Sequence, residues 1–228
     1  MILQSLVPRI TISSTTWTRC ISTSSFLRNN SFQSQTYPGL YFHPHPDPPK
    51  GKEYSLSFLP TPAPSLSFSP TTIGQLRQPS TSTSTEPEIL PRYFVENPLF
   101  LDLLHEVLKE EISKGDPWLI NLAKSIQTSQ GGGGVDTFIH LSDQRNPPEV
   151  QRTPQPQDII SSILVKGETG QLVLQSYERN KVAYRLVSEL GLMKLPKSLM
   201  DKLVQACKRV RQVEEEIDRE KKNNQQAQ

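Results

Sequence analysis

Apolar residues recur at helical spacing along residues 97–126 and 196–220, and they alternate with polar residues over shorter runs elsewhere. In the first stretch Leu99, Leu103, Leu104, Val107, Leu108 and Ile112 share one helical face, with Asp102, Glu106, Lys109 and Glu110 between them. Asn97-Pro98 opens this helix with a side chain that accepts from free amides and a residue whose fixed φ suits the first turn, and Gly115 closes it. Asp116-Pro117 repeats the start signal. Trp118, Leu119, Leu122, Ala123 and Ile126 then predict a second, shorter helix, antiparallel to the first.

After the glycines at 131–134, Val135, Thr137, Ile139 and Leu141 alternate with Asp136, Phe138 and His140, as in a strand. Residues 159–166, 171–177 and 182–188 are β-rich runs separated by Gly167-Glu168-Thr169-Gly170 and Glu178-Arg179-Asn180-Lys181, which predicts an antiparallel meander. The third run also fits a period near 3.6 through Tyr184, Val187 and Leu190, so it reads as strand or helix. From Pro196 to about Glu220, Leu199, Leu203, Ala206, Val210, Val213 and Ile217 alternate spacings of three and four. That pattern is the narrow seam of a long terminal helix with coiled-coil character.

The earlier part of the chain reads differently. Between residues 38 and 98 prolines recur, among them Pro44, Pro46, Pro48, Pro49, Pro60, Pro62, Pro64 and Pro70, which excludes long helices. Tyr54, Leu56 and Phe58 alternate with Ser55 and Ser57 as one short strand, Leu66 and Phe68 repeat the pattern weakly, and 78–85 is a Ser/Thr tract that reads as a linker. The expected organisation is a presequence over 1–34, a Pro/Ser-rich extended segment with one or two short strands over 35–91, an α+β domain over 92–222, and a disordered tail over 223–228. The fold class is α+β: one small domain with a helix pair, a short antiparallel sheet and a long carboxy-terminal helix.

Charge adds an address. Residues 1–46 hold Arg9, Arg19 and Arg28 among many Ser and Thr and no acidic residue, the composition of a disordered mitochondrial presequence. Ile2, Leu3, Leu6 and Val7 supply an apolar face ahead of Arg9, and Arg19-Cys20-Ile21-Ser22 resembles a processing pattern, with cleavage expected after Ile21 or after a second trim near Arg28. Three of the 25 basic residues and none of the 23 acidic ones precede Asp47, which leaves 22 against 23 and no global attraction to nucleic acid. Cys207 is then the one remaining thiol, so a disulfide within the processed chain is excluded. No apolar run reaches 18 residues, so no transmembrane segment is expected.

Candidate chemistry is sparse. The glycines at 131–134 stand between a helix and a strand and lack the Lys-Ser/Thr of a phosphate-binding loop. His105-Glu106 opens like a zinc-protease motif, but Lys109 stands where the second His is needed. His43, His45 and Asp47 share the parity of an extended chain, yet their proline surroundings favour a polar loop over a metal site. Cys207 beside Ala206 and Val204 reads as a packed thiol despite Lys208 and Arg209. The sequence therefore assigns no catalytic residue, metal or cofactor. The remaining candidate is electrostatic: Lys194, Lys197, Lys202, Lys208, Arg209 and Arg211 face only Asp201 in their stretch, a basic surface for an anionic partner, with a solvated helix as the competing account.

These observations imply a mitochondrial matrix accessory or assembly protein that acts by binding. Its partner would be a protein, the mitochondrial ribosome or a respiratory complex, with peripheral contact at the inner membrane. The alternative is a small matrix enzyme whose polar residues, such as His140, Asp143 and Arg145, assemble only in three dimensions.

Overall fold

The computed structural model describes residues 31–46, 48, 51–65, 69–79, 86–129, 134–148 and 154–226. Five antiparallel strands form one sheet in sequential order: β1 (Phe32–Gln33), β2 (Tyr41–Pro44), β3 (Lys52–Ser57), β4 (Thr72–Gln78) and β5 (Phe94–Glu96). Two helices follow, α1 (Pro98–Lys114) and α2 (Pro117–Ser129). A second antiparallel sheet has the order β6 (Thr137–Ser142), β7 (Ile159–Val165), β8 (Leu172–Arg179). A two-residue hairpin, β9 (Val187–Ser188) and β10 (Gly191–Leu192), leads into the long helix α3 (Lys197–Gln226).

The helix starts form as their residues dictate. Asn97 Oδ1 accepts from Leu99 N at 3.1 Å while its Nδ2 donates to Thr72 O at 2.6 Å and Ser69 O at 2.8 Å, so one buried side chain caps α1 and ties it to the sheet. Gly115 takes φ +73 to end α1, and Asp116 Oδ1 caps α2 through Trp118 N at 2.9 Å. The main packing of α1 is on α3, β8 and β4, and that of α2 is on β6. Through these contacts α1 joins both sheets and the terminal helix.

One hydrophobic cluster unites Phe42, Leu56 and Ile73 of the first sheet with Leu104 and Leu108 of α1, Ile139 and Ile163 of the second sheet, and Leu199 and Leu203 of α3. Leu104 is fully buried there, on the face that its spacing assigns. Leu104→Ala is expected to cost about 2–5 kcal/mol in denaturant unfolding, from lost transfer energy plus the cavity left behind. A loss below about 0.5 kcal/mol would put the side chain at the surface.

Several expectations are corrected. The proline-rich segment contains most of a five-stranded sheet rather than one or two strands, so the domain begins near residue 32 and not at 92. The prolines are compatible because they lie in connections or, like Pro44, at a strand end. Phe32–Gln33, within the stretch expected to be presequence, pairs with β2. The stretch 182–188 is neither a helix nor the third strand of the meander; Val182 is 85% exposed, and β6 completes that sheet in its place. The helix expected to fray after Lys222 continues to Gln226. The weak alternation at Leu66 and Phe68, most of the Ser/Thr tract and the presequence up to residue 30 lie outside the described residues.

Candidate functional site

The basic stretch resolves into surface and core. Along α3, Lys197, Asp201, Gln205 and Lys208 follow one another at spacings of four, four and three, so they form one outward row. Lys202 and Arg209, seven apart, form a second row beside α1, where Arg209 Nη2 lies 3.8 Å from Glu110 Oε2. The carboxyl of Glu110 is held below the usual range first by Lys114 and then by Arg209 and Lys202. Lys194, Lys197, Lys202, Lys208 and Arg209 are all exposed. Among the described residues, Lys197, Lys202 and Lys208 have no carboxylate within 4 Å. The two rows put four cations along about 18 Å of helix.

Arg211 leaves this set. Its side chain is buried, Nη1 donates to Thr61 O at 2.6 Å, Nη2 donates to Thr71 Oγ1, and Nε lies 3.3 Å from Glu214 Oε2. Glu214 in turn accepts from Ser69 at 2.8 Å. Leu203, Cys207 and Arg211 are four apart, so the seam side carries Arg211 inward, a placement that its spacing already contains. Arg211 therefore anchors α3 to Thr61 and Thr71 and is not part of the exposed set.

Asp143 and Arg145 do come together, as an internal tie. Arg145 donates to the carbonyls of Arg185 (2.6 Å), Gly191 (3.1 Å) and Leu186 (3.2 Å), and its Nε lies 3.6 Å from Asp143 Oδ2 and from Asp158 Oδ1. Asp143 Oδ1 accepts from Lys194 N at 2.9 Å, and Oδ2 accepts from Tyr184 Oη at 3.0 Å. Burial pushes the Asp143 carboxyl up and the Tyr184 phenol well up. Both Nη atoms of Arg145 are spent on backbone, so the cluster locks the hairpin and the start of α3 to the second sheet. His140 pairs with Ser162 Oγ at 2.8 Å on the face that carries Phe138, away from the core side of Ile139. The three residues of the enzyme alternative thus form no common site.

The other candidates resolve in the same way. His43 pairs with Ser31 and Ser57 and His45 with Ser55, while Asp47 lies outside the described residues; no metal-binding cluster occurs among the described residues. Burial, then Arg211, drives the His43 ring down to about 4. His105 is buried against Tyr177 Oη at 2.7 Å, and burial, then Arg179 and Lys109, takes it to about 4, so both rings are neutral at pH 7. Burial lifts the Cys207 thiol to about 12, which leaves it without thiolate character. Gly134 is exposed at φ +95, and residues 131–133 lie outside the described residues. A cleft of about 420 Å³ between Tyr37, Glu86, Ile89, Glu189 and Leu190 contains none of the basic candidates. Gly191 closes one side of it at φ +96, where any Cβ would meet the Tyr37 hydroxyl.

No helix among the described residues is long and apolar enough to cross a membrane. Comparison with protein-family models, curated proteins and solved structures finds no match to this chain.

Proposed function

We propose that this protein is a mitochondrial matrix accessory factor that docks on an anionic partner, the RNA of the mitochondrial ribosome, through the outward rows of α3. The observation that carries the reading is the exposed set Lys197, Lys202, Lys208 and Arg209 on one helix, three of them with no carboxylate within 4 Å among the described residues. Phosphate groups suit such a set because each contact releases condensed counterions. A lipid surface suits it less well. An interfacial helix needs its apolar face free, and Leu199, Leu203 and Ala206 of α3 are already buried in the domain. The acid-free residues 1–46 support the address.

Gradient fractionation of the tagged protein from isolated mitochondria tests this reading. The protein is expected with ribosomal particles at low salt, with an amino terminus between Ser22 and Ser31, since later cleavage would remove β1. An intact Met1 by mass spectrometry would contradict the address, and recovery in the membrane pellet would move the partner to the lipid surface.

A further inference from the structure

Beyond Arg211, α3 leaves the domain. Leu199, Leu203 and Ala206 on its seam are buried, and Val210 is half-buried. The next two seam positions, Val213 and Ile217, are 54% and 46% exposed. The spacing of three and four runs on through Glu220 and Asn224, so the stripe that docks the first half of the helix continues uncovered over the second. From Val213 to Gln226 this free part is about 20 Å long.

Its charges are sorted along the axis. Glu214, Glu215, Glu216 and Asp218 come first, then Arg219, Lys221 and Lys222, with Glu220 between them. Arg219 reaches Glu215 at 3.7 Å and Lys222 reaches Asp218 at 2.6 Å along the same helix. Glu216, Glu220 and Lys221 have no oppositely charged side chain within 4 Å among the described residues. A segment acidic at one end and basic at the other is complementary to itself when reversed.

We propose that the free end of α3 pairs with the same segment of a second copy, antiparallel, about a two-fold axis near Asp218 and Arg219. The domain sets the direction. It occupies the seam side as far as Arg211, which is buried against Thr61 and Thr71. A second helix lying on the seam in the same direction would drive its own first half into that domain, whereas a reversed helix brings only its tip close. Reversal sets the acidic Glu214, Glu215 and Glu216 of each copy beside Arg219, Lys221 and Lys222 of the other, twice over by symmetry. On the seam, Ile217 meets the alkyl stem of Glu220 of the second copy, and Val213 meets its Asn224. So few apolar side chains make a contact that dissociates on dilution. The pair carries its two basic faces at opposite ends, which would let one particle engage a large anionic partner at two points.

Sedimentation of the purified full chain across a concentration series is the test. The expected result is a monomer–dimer equilibrium, abolished in Val213→Asp/Ile217→Asp with no loss of thermal stability, because both positions are exposed. Glu215→Lys/Glu216→Lys alone and Lys221→Glu/Lys222→Glu alone should each weaken the dimer on the order of tenfold or more, and mixing the two variants should restore it as a heterodimer. In a Cys20→Ser background, Val213→Cys mixed with Asn224→Cys should form a disulfide between copies. Val213→Cys alone should not, because its two copies stand about 16 Å apart in the reversed pair. A monomer at every concentration, or ready self-crosslinking of Val213→Cys, would overturn the proposal.

Discussion

Arg145→Ala is expected to destabilise the fold by about 3–5 kcal/mol, the usual cost of removing one partner from a buried ionic cluster. The loss has three parts. The carboxylates of Asp143 and Asp158, both buried, lose their cation; the carbonyls of Arg185, Leu186 and Gly191 lose their donor; and the guanidinium no longer fills the space beside the Tyr184 ring, whose centroid is 5.8 Å away. Arg145→Lys should recover little, because one ammonium group cannot reach three carbonyls in the directions that the planar fork reaches.

The pH dependence of that loss has a defined sign. The folded-state carboxyl of Asp143 already lies above its ordinary value through burial, and losing Arg145 should raise it further. The folded variant then binds a proton at a pH where the unfolded chain has released it. Its stability relative to the wild type should therefore improve as pH falls toward the ordinary carboxylate range and worsen as pH rises above it. Urea unfolding of both proteins at several pH values measures this difference. A gap that stays constant with pH, or a total loss below about 1 kcal/mol, would mean that the cluster is not the lock described.

The structure was legible in the sequence where neighbours in the chain decide the outcome. Asn97-Pro98, Gly115 and Asp116-Pro117 act within a turn of themselves, and both ends of α1 and the start of α2 follow from them. It was not legible where a distant partner decides. Tyr184 lies in a stretch that carries both periods, and it is fixed by Asp143, 41 residues away, instead of by either pattern. β4 contains Gly74, Gln75, Arg77 and Gln78, and it becomes a strand because β3 and β5 flank it. The prolines of the early segment correctly exclude helices, yet they say nothing against strands that end or turn at them. Within the candidate site, the basic stretch was visible as composition, while the burial of Arg211 depended on reading its spacing from Leu203 and Cys207.

On the proposed reading, the outward cations of α3 engage phosphate groups. The direct measurement is co-sedimentation of the tagged protein with mitochondrial ribosomes over a salt series, comparing the wild type with Lys197→Glu/Lys202→Glu/Lys208→Glu/Arg209→Glu. These side chains are exposed, so their reversal should leave the fold in place, which circular dichroism and thermal unfolding can verify. The wild type should dissociate as salt rises, with log affinity falling linearly in log salt, and the variant should bind far more weakly with a slope shallower by about three to four, since each lost phosphate contact removes about 0.9. Leaving Arg211 unchanged keeps the anchor of α3 intact. If the variant sediments with ribosomes as the wild type does at every salt concentration, the rows are merely solvated and the docking account is wrong.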